Sequence, residues 1–203
     1  MTETPTPGTR ERLIAAMTDA LRRRGLHGIG LTELLAQAGA PKGVLYHHFP
    51  GGKTELAVAA IDDVVARMLR GLDALLASTP DPIEATRRWM AGATARLSDT
   101  GFECGCPLAT VALETTPDDA ALRQALARAF TTLRERIAFA LEQHGESRAQ
   151  AQGIAALIVA TYEGGLLQAR VAQSSDPINQ ATQTLLSLLA ARTPTAARTG
   201  EPS

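Results

Sequence analysis

The side chains best suited to a defined chemistry fall between Gly30 and Lys53, in the segment GLTELLAQAGAPKGVLYHHFPGGK. Lys42 can donate to guanine O6 or N7, and Val44 can touch a thymine methyl. Gly43, with no side chain, allows close approach to a groove wall. Tyr46 and His47 reach far enough for phosphate oxygens, contacts that position more than they specify. Lys53 stands where a new helix begins, so its ammonium and the free backbone donors there can share one phosphate. His47 and His48 project about 100° apart around a helix, so they do different jobs. His47 is expected outward and His48 packed or capping; Tyr46 is expected outward and Phe49 in the core. None of these groups forms a spaced nucleophile, base and orienting partner, so catalysis is not expected. Gly51-Gly52-Lys53-Thr54 imitates the end of a phosphate-binding loop. His47 stands where that loop needs a glycine, and no strand precedes it.

These side chains need short elements held at fixed angles. Leu13, Ile14, Met17 and Leu21 recur at helical spacing, and Arg22–Arg24 followed by Gly25 reads as a helix end. Leu31–Ala38 makes a second helix stopped by Gly39, and Pro41–Phe49 a third. Leu34, Leu35 and Leu45 are expected to face Leu13 and Met17 and so set the projection of the third helix. After Pro50-Gly51-Gly52 a long amphipathic helix runs from Leu56 to before Ser78. Further helices are expected over 82–99, 108–114, 118–143, 150–172 and 177–191, with no strand alternation and no repeat. The fold class is therefore all-α: an N-terminal helix-turn-helix unit followed by a larger helical unit. Residues 1–9 and 193–203 are expected to be disordered ends, with the first unit over 10–57 and the second over 58–192.

Across 203 residues the net charge is -1, but its distribution is uneven. Residues 1–53 carry seven Lys or Arg against four acids, and residues 54–203 carry thirteen against seventeen. A basic head on an acidic body suits a phosphate-bearing partner for the head alone. Aromatics make up only 3% of the chain, so Ala and Leu must fill the core, which favours helices. No run of eighteen apolar residues occurs and the opening MTETPTPGTRER lacks a secretory pattern, so a cytoplasmic protein without a membrane partner is expected. Cys104 and Cys106, the only cysteines, are expected as free thiols. Glu103 has the wrong charge to activate Cys104, and two thiols are too few for tetrahedral zinc. No cofactor or metal is expected.

The run Gly39-Ala40-Pro41-Lys42-Gly43 through Leu45-Tyr46-His47-His48-Phe49, continued by PGGKTEL, closely resembles the DNA-binding segment of the TetR family of bacterial regulators. The resemblance covers roughly residues 10–57. Downstream, Phe102–Glu114, FECGCPLATVALE, looks like the effector domain of the branch that includes lincomycin-resistance and flavonoid-responsive repressors, and the PGGK spelling points to the same branch. The resemblance implies an all-helical homodimer, a pocket in the helical body, and a dimer interface from the last two long helices. It also implies repression of a nearby operon, relieved by a small hydrophobic or aromatic effector. Carried over by position, Tyr46 and Lys53 contact phosphate, while Lys42, Gly43, Val44 and His47 face bases or adjoining backbone of double-stranded operator DNA. Gly30 departs from the family's common Thr, which weakens a helix cap by a few tenths of a kcal/mol at most.

Within the body, Trp89, Phe102, Phe130, Tyr162 and Glu163 are the candidate ligand-binding residues, with ordinary core packing the competing role for each ring. Phe139 is expected in the core, and Arg134 on the surface. Ile154, Leu157, Ile158 and Thr161 share one stripe, and Leu185, Leu188 and Leu189 another; both are expected to form a two-fold interface, with intramolecular core the competing role for either. A structural DNA-bridging dimer without effector control and an enzyme with an unrecognised site are the alternatives.

Overall fold

The computed structural model describes residues 8–191, which form helices joined by short connections. The expected disordered ends lie outside the described residues except for Gly8 and Thr9, and Thr9 already begins the first helix. The helices are α1 (Thr9–Arg24), α2 (Leu31–Gln37), α3 (Lys42–His48), α4 (Gly52–Ser78), α5 (Pro82–Asp99), α6 (Pro107–Glu114), α7 (Ala120–Gln143), α8 (Arg148–Ala172) and α9 (Asp176–Ala190). No strand occurs among the described residues, in line with the Ala- and Leu-rich composition.

Each boundary has a local cause. Gly39 at φ +59° takes the left-handed conformation that turns the chain between α2 and α3. Asp81 accepts from the Ile83 N–H at 2.9 Å and Pro82 follows it, a capped start for α5. Ser147 caps α8 in the same way through Gln150. Gly30, where the family pattern often has Thr, precedes α2 without a side-chain cap.

Leu13, Met17, Leu34, Leu45, Phe49 and Leu56 are buried, so α1, α2, α3 and the start of α4 close one small core. That core continues along α4 into the body, where α4 packs on α5 and α7, α7 on α8, and α8 on α9. Gly165 lets α8 and α9 approach closely: a Cβ there would stand 2.8 Å from Ile178 Cγ1. Among the described helices, α8 alone has the length and mean hydropathy of a membrane span, yet its inner face, including Ile154, Ile158 and Tyr162, is core of the bundle.

Two expectations are corrected here. Phe139 is 55% exposed, lying under the Arg136 guanidinium at 5.8 Å. The proposed interface stripes divide: Ile154, Ile158, Leu185 and Leu189 are intramolecular core, while Leu157 and Leu188 face outward. Helical spacing alone could not separate the two roles, because α8 and α9 are apolar on more than one face.

Candidate nucleic-acid interface and ligand chambers

The outer side of α3 presents Lys42, Gly43, Tyr46 and His47 to solvent, with Val44 half-buried at its edge. Tyr46 is 48% exposed, and a Cβ on Gly43 would meet nothing within 4 Å, so this face is open to a partner surface. Leu45 and Phe49 point inward and fix the helix. His48 is half-buried, its ring 6.5 Å from Phe49 and edge-on to His47 at 5.1 Å. Lys53 departs from the expected geometry. Its Nζ donates to the carbonyls of Leu26 and Ile29, both at 2.6 Å, so two of its three donors hold the connection between α1 and α2. Partial burial lowers its pKa, and Glu114 works in the opposite direction.

The body holds two neighbouring cavities. An inner chamber of 370 Å³ lies between α1, α4, α5 and α8, and the strap Cys104–Pro107 forms part of its wall. Its size falls in the range of about 300–1,000 Å³ usual for small-molecule sites. Trp89 and Tyr162 stack at its side, ring centres 4.3 Å apart and planes 16° from parallel. Burial raises the Tyr162 pKa first of all, and the neighbouring Cys106 and Glu163 add to this, while the positive charge of Arg96 acts the other way. An outer groove of 970 Å³ runs over the other side of the strap, with Phe102, Glu163, Leu167 and Arg170 in its walls.

Glu163 as a residue is half-buried, but its carboxyl is sealed. The Cys106 thiol donates to Oε1 at 3.2 Å, and Oε2 is buried without a hydrogen-bond partner. Burial pushes this carboxyl up to about 7, against the effect of the thiol bond. Burial likewise pushes the Cys106 thiol well up, helped by Glu163. Cys104 and Cys106 are both free and buried.

The five sequence candidates thus separate. Trp89 and Tyr162 line the inner chamber and Phe102 and Glu163 the outer groove, while Phe130 packs half-buried against the core and is in neither lining. Sequence reasoning missed Thr18, Arg22 and Arg96 on the inner wall and Arg170 on the outer. The first two sit on α1, which periodicity assigns wholly to the head. It also missed the bonds that tie the chambers to that head. Gly105 donates its N–H to the Arg22 carbonyl at 3.2 Å, and Arg170 donates to the Arg23 carbonyl at 2.8 Å. Glu114, at the end of α6, accepts the Leu26 N–H at 2.6 Å. The cations Arg23 and Arg24 are paired with Asp19, Glu103 and Glu33 rather than merely solvated.

A short helix presented by a helix-turn-helix core, joined to a chambered helical body, defines the class of DNA-binding transcriptional regulators. The family model for bacterial regulatory proteins of the tetR family matches residues 13–60, and that for the LmrA/YxaF-like transcriptional regulator C-terminal domain matches residues 82–184. The HTH-type transcriptional regulator LmrA of Bacillus subtilis is 30% identical over 84% of this chain and 90% of its own. The HTH-type transcriptional regulator Rv0196 of Mycobacterium tuberculosis is 32% identical over 94% of this chain and 99% of its own. The crystal structure of a TetR regulatory protein from Rhodobacter sphaeroides superposes with a TM-score of 0.78 at 27% identity, covering 88% of this chain and 97% of that one. The chain belongs to the TetR family of transcriptional regulators, which are transcription factors and not enzymes.

Proposed function

We propose that this protein is an effector-released repressor of the LmrA/YxaF-like branch, working as a homodimer in the cytoplasm on a pseudo-palindromic operator. Residues 10–57 read DNA in this scheme, and residues 58–192 receive the effector and dimerise. Two heads about one helical turn apart enter successive major grooves, with Lys42, Gly43, Val44 and His47 toward bases and Tyr46 toward phosphate. The third donor of Lys53 and the backbone at the start of α4 complete the phosphate side. A small aromatic effector enters beside Trp89 and Tyr162.

The observation that carries this reading is the strap, which walls the inner chamber on one side and hydrogen-bonds to the end of α1 on the other. A ligand that favours one strap position thereby favours one head position, and a ligand that weakens operator binding binds the DNA complex less well by the same factor.

The test begins with operator fragments selected from genomic DNA. Lys42→Ala should relax base preference at one position of each half-site, by about 1–3 kcal/mol of discrimination. Lys53→Ala should weaken all fragments alike and lower the thermal midpoint of the head, because it also frees two carbonyls. Equal binding of every fragment by the wild type would overturn operator reading, and unchanged preference in Lys42→Ala would remove that residue from the reading set.

A further inference from the structure

The charged side chains that line the inner chamber are all arginines. Thr18, on α1, is 7% exposed, and its hydroxyl is buried in the chamber wall without a hydrogen-bond partner. Arg22 lies one turn further along the same helix, half-buried and without a carboxylate partner among the described residues. Arg96 reaches in from α5, its charge close enough to the Tyr162 hydroxyl to act on it. Two more arginines line the rim, but Arg67 is paired with Asp63 and Arg88 with Glu84. No Asp or Glu lines this chamber. Trp89 and Tyr162, stacked on each other, supply the aromatic part of its lining.

A buried hydroxyl without a partner costs free energy that a ligand acceptor recovers, and an arginine without a counter-ion beside it favours that acceptor as an anion. The aromatic lining favours an aromatic body behind it. We propose that the effector is a flat aromatic oxyanion, its ring system against Trp89 and Tyr162 and its carboxylate or phenolate between Thr18, Arg22 and Arg96. The inference rests on the repressor reading above and adds a direct contact between the effector and the first helix of the DNA-binding head. The anion draws the Thr18–Arg22 turn of α1 toward α5, so the ligand acts on the head itself as well as through the strap. Glu163 makes no direct contact here, since it lines the outer groove and not this chamber.

Trp89 is the chain's sole tryptophan, so its fluorescence reports occupation of this chamber directly. Three probes of one shape are titrated into the full-length protein: 2-naphthoate, its neutral alcohol 2-naphthylmethanol and the cation 2-naphthylmethylammonium. The expected result is a Trp89 response to 2-naphthoate with at least tenfold tighter binding than either analogue. Arg22→Gln should abolish that preference. Thr18→Val, which keeps shape and removes only the hydroxyl, should weaken 2-naphthoate several-fold and leave the alcohol less affected. Equal or tighter binding of the alcohol or the cation overturns the proposal, as does a preference that survives Arg22→Gln. Absence of any Trp89 response to all three overturns it too. Operator affinity, followed by fluorescence anisotropy in the same titrations, separates the two levels. Selective 2-naphthoate binding that leaves operator affinity unchanged overturns effector-controlled repression while the anion site stands.

Discussion

Glu163 shows how one side chain can set a pH dependence for the whole fold. Its carboxyl is buried with one thiol for a partner, so burial raises its pKa from 4.5 to about 7. Below the unfolded value both states hold the proton. Between about pH 4.5 and 7 the unfolded chain releases it while the folded chain keeps it, so stability falls as pH rises through this window, by at most roughly 3 kcal/mol. Urea denaturation at about pH 5.5 and 7.5 should therefore give a lower midpoint at the higher pH. Glu163→Gln should remove most of the difference. A midpoint equally sensitive to pH in the variant would show that another group is responsible. Residue roles on α3 were legible beforehand, because Leu45 and Phe49 alternate with polar neighbours at helical spacing. The partners of Lys53 were not legible, because Leu26 and Ile29 are brought to it by the return of the chain.

The connection between α1 and α2 is held from two sides. The α6 carboxylate of Glu114 takes the Leu26 N–H, and the α4 ammonium of Lys53 takes the Leu26 and Ile29 carbonyls. A hydrogen bond to a charged group is worth about 1.5–3 kcal/mol, enough to carry a useful share of the coupling between body and head. Glu114→Gln keeps the shape and weakens that bond. Operator affinity of the free protein should change less than about threefold, a difference below 1 kcal/mol. The loss of operator affinity caused by 2-naphthoate should shrink by up to about tenfold, or 1.4 kcal/mol. Anisotropy titrations with and without the probe measure both quantities. An unaltered effector response would place the coupling elsewhere.

At the scale of the molecule, α8 and α9 leave an outward apolar face that includes Leu157 and Val171 on α8 and Leu188 on α9. Leu157 and Leu188 also line a groove of 720 Å³ between the two helices. Exposed leucines in such a patch mark an association surface, and the repressor reading places the two-fold axis there. Leu188→Glu combined with Val171→Asp should give a monomer in sedimentation equilibrium. Its helical content should match the wild type, since both side chains are exposed in the protomer, while its thermal midpoint should fall and lose the dependence on concentration that dimerisation confers. Operator binding should lose most of its affinity, because one head alone meets one half-site. A double variant that remains dimeric would move the interface to another face. Gly165 supports this surface from behind by letting α9 lie close on α8.

Helix order, the buried face of each short helix and the outward set on α3 were determined by the sequence itself. These are local matters: apolar spacing, a turn glycine and a capping residue act within a few positions of one another. The chambers were decided only by the tertiary structure. Thr18, Trp89, Arg96, Cys106 and Tyr162 come from three helices and a strap, and their spacing along the chain carries no period that would announce a shared cavity. The same is true of the outward face on α8, where Ile158 and Leu157 are neighbours of like chemistry and opposite fate. Which of two apolar faces is buried depends on the helices packed against them, and that choice exists only once the bundle has formed.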